Sequence, residues 1–184
     1  MQQQIRAYKF RLYPSKKQIE ALNHHIWISK ELWNRMLETT KKLYEKEKRF
    51  PSKKELREIV KDSLLYSQVS QELVDRLLDA VKRKIRMKMK GLKAGFPRFK
   101  SFYQMKSLNY PQFGFSFSDQ KLRVTPFGEI SIKKHRDMKG KIKTLSLKRE
   151  QTGKWFAVFT VVEPKSEPKS NNRTKIKQWP GSWH

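Results

Sequence analysis

The sequence predicts an α+β fold, a β-barrel interrupted by an inserted helical domain, and three observations predict it. Near the N-terminus apolar and basic residues alternate with period two. From position 16 to about position 90 the apolar period becomes helical. From position 114 short period-two runs return, separated by turns that contain Gly or Pro. One strand, a helical block and then about five short strands is the order expected of a sheet closed on itself around a helical excursion.

The first strand contains Ile5, Arg6, Ala7, Tyr8, Lys9, Phe10, Arg11 and Leu12. Its alternation turns Ile5, Phe10, Leu12 and either Ala7 or Tyr8 inward, and Arg6, Lys9 and Arg11 outward. The slip at Ala7 and Tyr8 suggests a bulge. Pro14 cannot donate to a ladder and ends the strand, and Ser15 suits a helix N-cap. Ile19, Leu22, Ile26, Leu32, Trp33, Met36, Leu37, Thr40 and Leu43 then recur at three and four residues, giving one long helix or two shorter ones to about position 48. Phe50-Pro51 interrupts, and Ser52 with Glu55 has the spacing of a capping box. A short helix follows, with Leu56, Ile59, Val60 and Leu64. A third runs from about 70 to 90, with Leu73, Leu77, Ala80, Val81, Ile85 and Met89 on one face.

Gly95 and Pro97 end the helical region, and positions 101–113 read as a polar connection. Strands are expected at 114–117, 121–124, 129–132, 141–149 and 154–162. The last is apolar on both faces (Trp155, Ala157, Phe159 and Val161 against Phe156, Val158 and Val162), which predicts a central strand. Beyond Glu163 a polar, Pro-containing linker leads to a stretch without readable periodicity. The predicted divisions are 1–14, a first barrel strand; 15–95, the helical insertion; 96–163, the rest of the barrel; and 164–184, linker and tail.

Charge supplies the strongest functional statement. Lys and Arg number 43 against 17 Asp and Glu, a formal net charge of +26. Such an excess repels itself in a compact chain and is neutralised by a polyanion, most commonly nucleic acid. Positions 82–106 alone carry ten positive residues and no acidic one. The chain has no cysteine, which excludes disulfides, thiolate metal sites and cysteine nucleophiles. No apolar run is long enough to span a membrane, and no signal-peptide pattern opens the chain, so a cytoplasmic, nucleoid-associated protein is expected.

No constellation for catalysis emerges. His24 and His25 are adjacent on a helix, point about 100° apart and cannot share one ion; both read as surface or groove residues. Asp119, Asp137 and Glu150 fall in turns and do not form the converging carboxylates of a two-metal nuclease. No catalytic residue, metal site or cofactor is expected. Trp27, Trp33, Phe115, Phe117, Trp155 and Phe159 fall on apolar periods and read mostly as core. Tyr103, Tyr110 and Phe113, in the polar connection beside the basic run, are the candidates for stacking on bases.

Five segments occur in a fixed order. They are Tyr8-Lys-Phe-Arg-Leu-Tyr-Pro14, Trp33-Asn34, Gly95-Phe-Pro-Arg-Phe-Lys100, His135-Arg-x-x-x-Gly-Lys-Ile-Lys-Thr144, and Gly153-Lys-Trp-Phe156 ending at Val162-Glu163. Together they resemble the N-terminal half of the TnpB (OrfB) proteins of IS200/IS605 transposons, relatives of the Cas12-type RNA-guided nucleases. The resemblance implies an OB-like wedge barrel split by a helical recognition domain, the two together holding a guide RNA and reading double-stranded DNA beside the target. In that family a RuvC-type nuclease follows. Its metal-binding Asp segment has no counterpart after Glu163, so a truncated or frameshifted copy without nuclease activity is expected.

Carried onto this chain, the readers of target-flanking DNA are Gln68, Gln71, Glu72, Tyr110 and Gln112; glutamine suits adenine edges. Backbone contacts are expected from Lys9, Arg11, Lys82, Arg83, Arg86, Arg98, Lys100, Lys134, His135, Arg136, Lys141 and Lys143. Two other readings stand beside this one: an autonomous helix-turn-helix repressor, and a fragment that becomes active only with a separate nuclease chain.

Overall fold

The computed structural model describes residues 3–118 and 120–164. In chain order these form β1 (Gln3–Tyr13), α1 (Lys16–Glu47), α2 (Lys53–Val60), α3 (Ser67–Met89), β2 (Ser107–Tyr110), β3 (Phe115–Ser118), β4 (Lys121–Val124), β5 (Gly128–Lys133), β6 (Lys141–Arg149) and β7 (Trp155–Pro164). The strands make one antiparallel sheet in the order β2-β6-β7-β1-β5-β4-β3. The sheet curls until its two ends approach. The ring of Phe117 on edge strand β3 lies 5.2 Å from Phe159 of β7, and Tyr110 on the other edge donates its hydroxyl to the Thr125 carbonyl at 2.8 Å. The result is a nearly closed seven-stranded barrel with three helices between its first and second strands.

The expected central strand is interior: β7 pairs with β1 on one side and β6 on the other. The expected bulge in β1 is absent. Pairing with β7 runs without interruption from Gln3↔Pro164 to Leu12↔Trp155. Tyr8, Phe10 and Leu12 therefore face inward, and Ile5 and Ala7 share the outward face with Lys9 and Arg11. Arg6 has the inward phase and pairs with the buried Glu163 at 3.3 Å; Tyr8 donates its hydroxyl to the same carboxylate. An ion pair at the barrel end thus takes the place that a hydrophobic residue holds farther along the strand. The bulge lies instead in β6, between Ile142 and Thr144.

Helix α1 is a single helix. Ser15 caps it through a capping box with Gln18, and it ends at Lys48 in the left-handed conformation. The Gln18 amide also donates to the carbonyls of Phe127 and Glu129, so the cap fastens the helix to the barrel. Ser52 and Glu55 form the expected capping box of α2. Leu22, Ile26, Met36 and Leu37 of α1, Val74 and Leu77 of α3, and Phe10, Leu145, Ala157 and Phe159 of the barrel are all fully buried in one continuous cluster. Each large apolar side chain buried this way stabilises the fold by about 1.5–3 kcal/mol.

Two further expectations are corrected. Part of the stretch read as a polar connection is strand β2, with Leu108 and Tyr110 buried. Four residues of strand between polar neighbours are too short to announce a period. Trp27, read as core, is half exposed and stacks on His24.

Candidate nucleic-acid interface

Paired residues of neighbouring strands share a face of the sheet. On the outer face, the register sets Ser107, Lys148, Phe156, Arg11 and Lys133 in one row across β2, β6, β7, β1 and β5. The next row holds Asn109, Ser146, Val158 and Lys9. Phe156 is the centre of this patch. The Lys9 ammonium lies 4.1 Å and the Arg11 guanidinium 5.2 Å from its ring centroid. Lys9 also bonds the Glu150 carboxylate at 2.5 Å. That hydrogen bond holds Glu150 below the usual carboxylate range, and the charges of Lys9, Lys148 and Arg11 add to the effect. Arg11, Lys133 and Lys148 make no ion pair among the described residues. A half-buried aromatic ring ringed by cations offers a stacking face and phosphate contacts together.

A second basic surface surrounds the last turns of α3. Lys82, Arg83 and Arg86 are exposed there. Lys84 turns inward instead, its ammonium 4.3 Å from the Phe96 ring and 5.1 Å from Tyr44. The segment 95–100 is strapped across α1. Trp33 donates its indole N–H to the Arg98 carbonyl at 3.1 Å. The Asn34 side chain accepts from the Lys100 N–H at 2.8 Å and donates to the Lys100 carbonyl at 2.9 Å. The fold thereby joins two of the five sequence segments, Trp33-Asn34 and Gly95–Lys100, into one unit. Arg98 is left exposed, while Lys100 lies over the Trp33 ring at 4.1 Å. Burial pushes the Lys100 ammonium below the usual lysine range, and nearby Arg76 lowers it further.

The expected DNA readers divide. Gln68 and Gln71 lie on the first turns of α3, with Gln71 exposed and Gln68 half-buried. Gln112 is exposed in the turn after β2. The two segments are pinned side by side: Tyr66 stacks on Tyr110, and the Glu72 carboxylate accepts from Asn109 at 3.0 Å. Ser146 donates to the same Asn109 at 2.7 Å. Burial raises the Glu72 carboxyl against these bonds and against Arg76.

Tyr110 is a correction. Its ring is buried in the barrel and its hydroxyl is bonded, so it supports this corner from inside and presents nothing to a base. Burial also pushes its phenol well above the ordinary value. Gln68 and Lys82 are fourteen residues apart on one helix, about 21 Å at 1.5 Å per residue. The readers and the basic end of α3 are therefore separate places.

The cluster 134–136 closes against the barrel. Arg136 lies over the Tyr8 ring at 4.6 Å and donates to the Ala7 carbonyl; His135 meets Phe10 edge-on at 5.1 Å; Lys134 pairs with Asp137 at 2.6 Å. Lys141 and Lys143 are exposed and make no ion pair among the described residues. Lys141 opposes Val162 on the outer face, and Lys143 is the extra residue of the β6 bulge.

In the sequence Phe156 is legible as one side of a central strand and as part of the Gly153–Phe156 segment, with no cation assigned to it. Its role as the hub for Lys9 and Arg11 depends on strand phase, which cross-strand pairing alone fixes. Among the described residues no group of three His, Asp or Glu side chains is placed to hold a metal ion. None of the helices among them is long and apolar enough to cross a membrane.

A family model described as a helix-turn-helix domain of the IS605 OrfB type matches residues 1–49 of the 184. In this structure the matched stretch is β1, the unbroken helix α1 and the cap that follows it. A search of curated proteins returns no match. The match supports a relation to the IS605 OrfB (TnpB) proteins and suggests DNA binding in a transposon-associated protein.

Proposed function

We propose that this chain is the nucleic-acid-gripping part of a TnpB-like transposon protein, binding a guide-like RNA and the double-stranded DNA that flanks its target. In this reading the barrel serves as an OB-like wedge and the three helices as the recognition domain inserted into it. The carrying observation is the outer sheet face, where Phe156 is set among Lys9, Arg11, Lys133 and Lys148. Aromatic faces with flanking cations suit unpaired RNA. The paired corner of Gln68, Gln71 and Gln112 suits the edges of duplex bases. The chain works in the cytoplasm, at the nucleoid, with no cofactor.

The chain itself does not cleave DNA in this reading. Its carboxylates near the basic surfaces are already engaged: Glu150 by Lys9, Asp137 by Lys134, Glu163 by Arg6 and Tyr8, and Glu72 by Asn109. A two-metal nuclease needs carboxylates free to converge on cations. The second reading, a DNA-binding protein that acts without RNA, is favoured by the helix-turn-helix description of the matched model.

Recovery of bound RNA separates the two. The protein purified from its host should carry a discrete RNA that sequencing identifies. Recovery of no discrete RNA, together with tight binding of duplex by the protein alone, would establish the second reading. Metal-dependent cleavage by the isolated chain would defeat both.

A further inference from the structure

Beside the outer sheet face, at the β6–β7 turn, lies a cavity of about 470 Å³ that the interface described above does not use. Its wall is formed by Ile19 and Asn23 of α1, Tyr103, Lys106, Arg149 and Trp155. Trp155 is fully buried, and its indole N–H has no hydrogen-bond partner among the described residues. Its indole nitrogen is closed to solvent, so Trp155 contributes apolar wall to the cavity and no donor. Arg149 is fixed in place: one guanidinium nitrogen donates to Asn23 at 2.7 Å, the other to the Phe102 carbonyl at 2.9 Å, and its plane lies 4.0 Å over the Phe102 ring. Lys106 is exposed at the rim. Tyr103, also on the rim, is 80% exposed, so its ring is free to be covered.

We propose that this cavity holds one unpaired nucleotide of the bound RNA. The chemistry converges on that class. The volume falls in the range of small-ligand sites. Tyr103 offers a face for a flat ring, and Lys106 with Arg149 supplies positive charge for the phosphate. The cavity also continues the outer face. Glu150 and Gly153 line it, while Lys9 bonds Glu150 on one side and covers Phe156 on the other. Glu150 therefore belongs to both the cavity wall and the basic outer face. The inference rests on the RNA-binding reading and names a subsite within it.

The test uses the full chain and a single-stranded RNA, its recovered RNA or a mixed-sequence 15-mer, carrying 2-aminopurine at one position at a time. One position should change fluorescence on binding far more than its neighbours, and Tyr103→Ala should abolish that change. Tyr103→Ala should also weaken RNA binding about tenfold, the usual scale of one base–aromatic stack. Tyr103 is a surface residue, so that variant keeps its fold. Lys106→Ala removes the exposed rim cation and should weaken RNA binding severalfold, with circular dichroism unchanged. A free nucleotide uses the same chemistry, so AMP, GMP, CMP and UMP are titrated separately. Saturable binding of a mononucleotide that leaves RNA affinity unaltered would overturn the RNA assignment in favour of a free ligand. Wild-type RNA affinity and an unchanged fluorescence signal in both variants would overturn the site. If the wild type binds no RNA and no mononucleotide, the broader RNA-binding reading falls with it. Lys61→Ala, just past α2 where Lys61 pairs with Glu58, lies outside both the cavity and the outer face and serves as the control whose 2-aminopurine signal stays intact.

Discussion

Gly140 shows what one residue contributes. Its φ is 111°, in the region that side chains rarely adopt, and a Cβ there would lie 2.3 Å from the Val162 carbonyl oxygen. The backbone entering β6 can approach β7 this closely only without a side chain. Gly140→Ala should destabilise the fold by about 1–3 kcal/mol, read as a lower midpoint in urea. His25 gives a pH dependence. Its Nδ1 lies 2.8 Å from the Ala21 carbonyl, which can only accept, so the neutral ring carries its proton there. Nε2 is buried with no partner among the described residues. Burial pushes the imidazole below its ordinary value of 6.5, and His24 adds to the shift. The folded state thus prefers the neutral ring. Its stabilising contribution is full above pH 6.5 and is lost as the pH falls through that value toward the folded pKa. The thermal midpoint should be lower at pH 5 than at pH 7, and His25→Gln should flatten that difference. The depressed carboxylates Glu38, Glu55, Asp137 and Glu150 titrate below this window, starting from 4.5 or less.

At the scale of elements, the strap 95–100 depends on two side chains of α1. Asn34 satisfies both backbone groups of Lys100, and Trp33 satisfies the carbonyl of Arg98. Asn34→Ala strands a half-buried N–H and carbonyl. It should lower stability by about 1–3 kcal/mol. The strap should also become cleavable by trypsin at Arg98 and Lys100 well before the barrel unfolds, which limited proteolysis with mass spectrometry would show. An intact strap in Asn34→Ala would mean that the Lys84 and Trp33 ring contacts suffice to hold it. The tie also has a functional side. It fixes Arg98 as an exposed cation on a rigid backbone, so loosening it should weaken RNA binding less than removing Arg98 itself.

For the molecule as a whole, charge becomes a measurable slope. Neutralising phosphates releases counterions, and affinity then falls with salt in proportion to the number of contacts. Arg11, Lys133 and Lys148 share one row of the outer face. Replacing all three with alanine should reduce the slope of log affinity against log salt for single-stranded RNA by about 2. Three alanines at Lys121, Lys53 and Lys61, which pair with Glu129, Asp75 and Glu58 in the fold, should change it less. Equal slopes for the two triple variants would show that total charge, and not this face, sets the affinity.

The sequence by itself determined the basic character of the protein, the order of one strand, helices and a run of strands, the caps at Ser15 and Ser52, and the interior place of the strand expected at 154–162. All of these are local: charge is a sum, periodicity spans a few residues, and a cap involves neighbours three apart. Tertiary structure decided what pairing across the chain decides. The inward phase of Tyr8 follows from Phe159 opposite it, more than 150 residues later. The burial of Tyr110 follows from β6, which turns a four-residue segment into an edge strand. The outer face around Phe156 exists because register places Lys148, Arg11 and Lys133 beside it in one row. Side-chain phase in a strand repeats every two residues, so it is set only when a partner fixes the register.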